Sequence, residues 1–399
     1  MTARGFAAAR VVTCDPARDT ELGTVDNGAV VFERGRIAFV GARADTPRGV
    51  ALEDLGQRVI TPGLVDAHTH ACWVGSRHTE YGMRMTGCSY AEIARAGGGI
   101  LSTHRAVTAA SEDELAETLT LRLRRMASLG TTTVEVKSGY GLDAMQEKKQ
   151  LVAIRRAGSG SDVPDVIATL LALHALPSGA VARSEYVSLV ARELVPEVAG
   201  QGLARFVDAY VDADAFTVAE AYTVGKAARD AGLGVRFHVG QFADVGGAEL
   251  GAELGATSVD HLEHVSRAAI DALVRARVLG VLLPVASFTL AQAAPPIAMM
   301  REAGLVLAVA SDANPGTAPT ESLPLAMALA VRSYGLSVAE AILGATRNAA
   351  AALQLTDRGV LREGLRADLA LWDLPHEDAI VQPWGLSKVH RVLVEGRQI

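Results

Sequence analysis

Cysteine, aromatic rings and runs of one charge are all scarce in this sequence. Three cysteines occur, Cys14, Cys72 and Cys88, an odd number with no C-x-x-C spacing. That argues against a disulfide framework and fits a reducing compartment. Aromatic residues make up 5% of the chain, and no Lys/Arg-rich tract interrupts a net charge of −7. The sequence thus lacks the footprint of a nucleic-acid binder. No apolar run reaches bilayer length; the longest, around Ile167–Leu176, is broken by His174. The opening MTARGFAAARVVTCD carries neither an apolar signal core nor a cleavage site. A soluble, cytoplasmic protein without a membrane or nucleic-acid partner is expected.

What is present is a large apolar budget in a repeating texture: 49% of the 399 residues are hydrophobic and 21% are charged. The first sixty residues read as short strands and turns, with Gly28–Phe32, a turn at Glu33–Arg36, and Ile37–Val40. An apolar stretch, Val59–Val65, is interrupted by Pro62-Gly63. Beyond it, β-branched runs alternate with helical patterns. They are Leu64–His68, Thr132–Lys137, Val166–Leu173, Phe206–Val211, Val235–Val239, Ser258–Leu262, Val281–Val285 and Leu305–Ala310. Near-continuous apolar strands, each followed by a helix, predict parallel βα units and a (β/α)8 barrel. One helix is well signed: Ser111-Glu-Asp-Glu114 reads as a capping box, Leu115, Leu119, Leu123 and Met126 share a face, and Gly130 ends it. From about Leu361 short strands return, at Asp368–Trp372 and Val389–Val394. We expect residues 1–60 and 361–399 to form a small composite β-sandwich domain beside a barrel over 61–360.

The stretch TPGLVDAHTH places His68 and His70 one residue apart at the end of the first barrel strand. Strand side chains alternate faces, so the two imidazoles point the same way and can chelate one ion. H-x-H alone is a weak motif. His238, His261 and Asp312, however, each end a later strand, on the face where barrel active sites sit. A lone histidine there is ordinarily a core or surface residue, and a lone aspartate a helix cap. Five such residues at strand ends point to a metal site. Three histidines and a carboxylate suit Zn or Fe. We take His68, His70, His238 and Asp312 as ligands. His261 is left to polarise a carbonyl, and Asp312 doubles as the base for water. The implied chemistry is metal-assisted hydrolysis.

These residues, with HTHACWVGSR (68–77), SYAEIARAGGGILST (89–103), TTTVEVKSGYGLD (131–143), HALP (174–177) and SDANPG (311–316), resemble the amidohydrolase superfamily and, within it, the imidazolonepropionase family. The resemblance runs over nearly the whole chain. It implies hydrolysis of the lactam ring of 4-imidazolone-5-propanoate to N-formimidoyl-L-glutamate in histidine degradation, with one metal ion per chain in a homodimer. It also implies substrate contacts. Arg77 would meet the propionate, its planar fork matching a carboxylate. Tyr140 would meet the substrate, unless Gly139-Tyr140-Gly141 is only a turn carrying a packed aromatic. His174 would bond ring or carboxylate, or sit in the core. Tyr90 fits the family's tyrosine after the metal motif. Asn314 would bond the ring, or shape the Asn-Pro-Gly turn. Lys137 falls near the place where some superfamily members carboxylate a lysine to bridge two metals, but the resemblance implies a mononuclear site.

Four segments depart from the family pattern: Asp208–Asp214, His238-Val-Gly-Gln241, Val285-Ala-Ser287 and Ala313. Gln241 cannot shuttle a proton as glutamate can, so its part in catalysis is to orient substrate or water. That counts against an aminohydrolase releasing ammonia. The alternatives are a sister hydrolase acting on a ring-modified imidazolone or hydantoin-like propionate and, from another class, a non-catalytic scaffold that should have lost metal ligands.

Overall fold

The computed structural model describes residues 3–88, 90–176 and 182–399, without the side chains of 90, 91 and 94. Two eight-stranded sheets organise them. The first is built from β1 (Arg4–Val12), β2 (Thr24–Glu33), β3 (Arg36–Ala42), β4 (Ala51–Asp54) and β5 (Val59–Pro62), together with β14 (Leu369–Trp372), β15 (Val389–Val394) and β16 (Arg397–Gln398). Both chain ends meet where β14 pairs antiparallel with β5, Leu369 opposite Pro62. The sheet curls enough that Ile37 of β3 and Leu393 of β15 share one core with Phe6, Phe32, Ile60 and Leu371. β1 was not foreseen: its sequence RGFAAARVV is half alanine and glycine before the two valines, with weak strand preference.

The second sheet is parallel, in the order β6 to β13: Leu64–Asp66, Thr131–Lys137, Asp165–Leu173, Phe206–Val211, Gly234–Val239, Ser258–His261, Leu279–Leu282 and Leu307–Val309. Helices lie between the strands, as a parallel sheet requires. Backbone bonds close the ring at its C-terminal end, from Asp312 N to His68 O (3.0 Å) and from His70 N to Ala313 O (3.0 Å). The barrel expected from the sequence is therefore present, with eight strands in near-closed order. Among the described residues, no helix is long and apolar enough to cross a membrane.

Three expectations shift. β6 stops at Asp66, so His68 and His70 lie beyond it in an extended segment held by the closing bonds. The seventh barrel strand runs Leu279–Leu282 rather than Val281–Val285. Pro284 opens a helix, Pro284–Leu290, because its missing N–H costs nothing at a first helical position. Val285-Ala-Ser287 thus lies on a helix, not at a strand end. The helix Glu112–Ala127 is capped at Ser111, whose hydroxyl accepts the Glu114 N–H at 3.1 Å. It ends before Gly130, which turns the chain into β7 at φ 101°.

Candidate metal-dependent active site

The five strand-end residues converge. The ligand nitrogens of His68, His70 and His238 lie within 4.8 Å of one another, all buried. His238 Nε2 is 3.2 Å from His70 Nε2. Asp312 Oδ1 lies 3.6 Å from His68 Nε2 and 3.5 Å from His70 Nε2. His261 faces the same cluster, its ring centroid 5.5 Å from that of His238 and 6.1 Å from that of His68. His68 Nε2 is buried without a hydrogen-bond partner. A buried polar atom left unpaired is costly, and a three-nitrogen, one-oxygen cluster is the donor set a borderline cation takes. The residues present fit a metal ion.

Two of the three histidines are aimed by a carboxylate behind them, while His70 Nδ1 has no hydrogen-bond partner. His68 Nδ1 bonds Asp260 Oδ2 at 2.6 Å, and His238 Nδ1 bonds Asp208 Oδ1 at 3.1 Å. A carboxylate on the far ring nitrogen fixes tautomer and orientation. Each carboxylate is itself matched by a buried cation. Arg236 Nη2 donates to Asp260 Oδ2 at 3.0 Å, and Lys137 Nζ lies 2.9 Å from Asp208 Oδ2 and 2.7 Å from Glu135 Oε1. Glu135 Oε2 in turn accepts the N–H of Thr69, between the two histidines, at 3.1 Å.

Burial and these pairs set the ionisation. Burial, aided by neighbouring cationic groups, pushes His68 and His70 well below their ordinary range, so both are neutral and available as ligands. Burial works against ionised Asp208, yet His238 and Lys137 outweigh it and hold the carboxyl well down. Burial likewise works against charged Lys137, but Asp208 and Glu135 outweigh it and keep an ammonium there. Burial, opposed by His261, Asn314 and Lys137, lifts Asp312 to about 7. Burial works against protonated His261, and Glu263 opposite it more than compensates, raising it.

The cavity over this cluster is lined by His70, Arg77, Tyr140, His174, Gln241 and Asn314, among others. His174 Nδ1 donates to Gly139 O at 2.7 Å, and its ring stacks on His70 at 5.0 Å. Burial takes His174 down to about 3. Arg77 is buried and gives Nε and Nη2 to Glu80 Oε2 at 2.8 and 2.6 Å. Its Nη1 packs so close to Gly316 that a Cβ there would sit 2.2 Å from it. Asn314 spends its amide on its own loop, with Nδ2 donating to Asp312 O and Oδ1 accepting the N–H groups of Gly316 and Thr317, all within 2.8 Å. Gln241 Oε1 accepts from Tyr210 Oη at 3.0 Å. Tyr90 begins the helix Tyr90–Arg95, but its side chain lies outside the described residues. A wider groove of about 880 Å³ opens on the other side of Arg77. Its lining mixes prolines, Trp384 and Leu386 with Ser76, His78, Arg125 and Glu321, and lacks the histidine–aspartate convergence of the smaller cavity.

Sequence reasoning missed Asp260, Tyr210, Glu263 and the supporting roles of Asp208, Glu135 and Arg236. One signal was available: single charged residues inside otherwise apolar strands, at Glu135, Lys137, Asp208, Arg236 and Asp260, all fully buried.

Residues 59–399 match the amidohydrolase family profile. The imidazolonepropionase of Methylobacterium nodulans is 42% identical over 393 residues, covering 98% of both chains. That of a Polaromonas species is 44% identical, covering 96% of this chain and 91% of its own. Among solved structures, a zinc-bound adenosine deaminase from Xanthomonas campestris superposes with a TM-score of 0.74. It is 19% identical and covers 99% of this chain and 92% of its own. That likeness speaks to fold alone.

Proposed function

The chain belongs to the amidohydrolase family, and from that premise we propose that it is a metal-dependent hydrolase. It opens the lactam ring of 4-imidazolone-5-propanoate, giving N-formimidoyl-L-glutamate. Water adds to the ring carbonyl, the C–N bond breaks, and the proton that water sheds ends on the departing nitrogen. The observation that carries the reading is the buried convergence of His68, His70, His238 and Asp312, with His68 Nε2 unpartnered. The name borne by full-length relatives above 40% identity gives it a substrate.

In this reading those four residues hold one Zn or Fe ion. Such an ion, when bound, polarises the carbonyl and brings a water's pKa towards neutrality. Asp312 takes the proton from the attacking water and passes it on; an ionised neighbour of the ion suits a base. His261, charged beside Glu263, faces the carbonyl oxygen and stabilises the negative charge that develops there. Arg77 binds the propionate. Tyr140 and His174 form the wall against which the ring rests, and Tyr90 is kept as a further contact. Gln241, aligned by Tyr210, orients the ring or water. Asn314 serves mainly by shaping the loop that presents Asp312. Lys137, held as an ammonium between two carboxylates, cannot accept carbon dioxide to bridge a second metal, which supports a mononuclear site. The division into a composite β domain (1–60 with 361–399) and a barrel (61–360), a homodimer and a cytoplasmic location belong to the same proposal. Size measurement in solution tests the dimer.

The discriminating experiment is product identification. Incubation with 4-imidazolone-5-propanoate should yield N-formimidoyl-L-glutamate and no free ammonia. Ammonia released with the ring intact would instead assign a deaminase. No turnover by metal-loaded protein, with turnover of a hydantoin or ring-modified imidazolone bearing the propionate, would move the substrate to the sister class.

A further inference from the structure

The Asp-His-Leu-Glu segment that leads out of β11 ends in a buried carboxylate, Glu263, whose part in the proposed reaction is so far only its charge. His261 and Leu262 both adopt positive φ, 83° and 69°. Such backbone is strained at a non-glycine residue and persists where the surroundings enforce it. Two such residues in succession fold Glu263 back onto His261, with Glu263 Oε2 3.5 Å from His261 Nδ1. Both atoms are buried and neither forms a hydrogen bond, leaving this ion pair as the contact between them. The second oxygen, Glu263 Oε1, accepts the hydroxyl of Ser287, and Ser287 Oγ lies 2.6 Å from Tyr334 Oη. A serine has one proton to give. Since it goes to the carboxylate, the Tyr334 hydroxyl donates to Ser287. The chain therefore runs in one direction, from Tyr334 through Ser287 to Glu263, and ends at His261.

We propose that Glu263 is a positioning residue for this reaction. It keeps a proton on His261 Nδ1 and so turns Nε2 to the cavity, while Ser287 and Tyr334 fix its carboxylate in place. The proposal rests on reading His261 as the group that faces the substrate carbonyl. A ring held by one nitrogen cannot flip, and it presents the same atom to the substrate at every turnover.

The test uses the full-length, metal-loaded protein and its Glu263→Gln, Ser287→Ala and Glu263→Asp variants. Glu263→Gln should lower kcat about ten- to a hundredfold, the usual size of such support, with KM within about twofold because no substrate contact is lost. Ser287→Ala should lower kcat several-fold in the same manner, and Glu263→Asp should recover part of the loss. Nitrogen-15 NMR of histidine-labelled protein gives an independent readout, with His261 assigned by its absence in His261→Asn. The wild type should show Nδ1 protonated, and Glu263→Gln should shift that signal. Unchanged kcat and unchanged His261 signals in Glu263→Gln and Ser287→Ala would overturn the proposal. Should Glu263→Gln fail to fold, Ser287→Ala decides. Should the wild type not turn over the imidazolone, the substrate reading fails, and the NMR arm still decides the role of Glu263.

Discussion

The two ends of the barrel strands both bury charge, and they do so in opposite ways. At the N-terminal end, Arg358 donates to Thr133 Oγ1 (3.0 Å), Asp165 Oδ2 (2.8 Å) and Asp357 Oδ1 (2.9 Å). Beside it, Arg366 meets Asp165 at 2.8 Å and Asp368 at 3.0 Å. Each cation there faces at least one carboxylate, with only Arg366 Nη2 left without a hydrogen bond, and together they tie the barrel to the terminal strands. At the C-terminal end the pairing stops one step short. Asp208, Asp260, Lys137 and Arg236 neutralise one another behind the histidines, yet His68 Nε2 and His70 Nδ1 are left buried without partners. The positive backbone angles of His261, Leu262 and Asp312 occur at this end too. A cluster that closes on itself stabilises a fold, whereas one left open and strained is ready to take something in.

Substitutions can break this comparison. The largest effect belongs to the open end. His70→Ala should remove bound metal and lower turnover by about a thousandfold or more, while Tm stays within a few degrees. Elemental analysis and turnover check both, and an active, metal-replete variant would contradict the ligand role. Next comes the closed end. Arg358→Met leaves carboxylates under-partnered and should cost about 3 kcal/mol of stability with kcat and KM unchanged; denaturant unfolding beside kinetics separates the two. Third is Arg77. Because its loss alone would strand buried Glu80, the informative variant is Arg77→Met with Glu80→Gln. KM should rise about thirtyfold, or ~2 kcal/mol, with kcat little changed. An unmoved KM would take Arg77 off the propionate.

The smallest effect lies on the flank, where the Arg183 side chain holds the Glu220 carboxyl at about 2, below its ordinary 4.5. A depressed acid contributes fully above the unfolded value and loses that contribution as pH falls through the folded one. Wild type should exceed Glu220→Gln by about 1 kcal/mol at neutral pH, discounted for partial exposure. The gap should close between pH 4.5 and about 2. A constant gap across that window would remove the ion pair from the account.

The contrast also explains what could be read from the sequence. The barrel was legible because parallel strands covered on both faces are written as β-branched runs; the first, seventh and eighth end elsewhere than expected, the seventh because Pro284 opens a helix. His68, His70, His238 and Asp312 were legible because each follows such a run. The supports were not, because their partners are remote: Asp260 is 192 residues from the His68 it orients. The Glu263–Ser287–Tyr334 chain depends on a strained turn and on a helix where a strand was expected. For Asn314 the sequence left ring contact and turn shaping both open, since no pattern shows that its loop engages both ends of its amide.

The most direct test of the account is turnover of 4-imidazolone-5-propanoate measured while metal is returned stepwise to chelated protein. The account predicts no turnover without metal, a linear rise to one ion per chain, and a plateau beyond it, with N-formimidoyl-L-glutamate as product. Undiminished turnover by metal-free protein, or a rise continuing to two ions per chain, would contradict it.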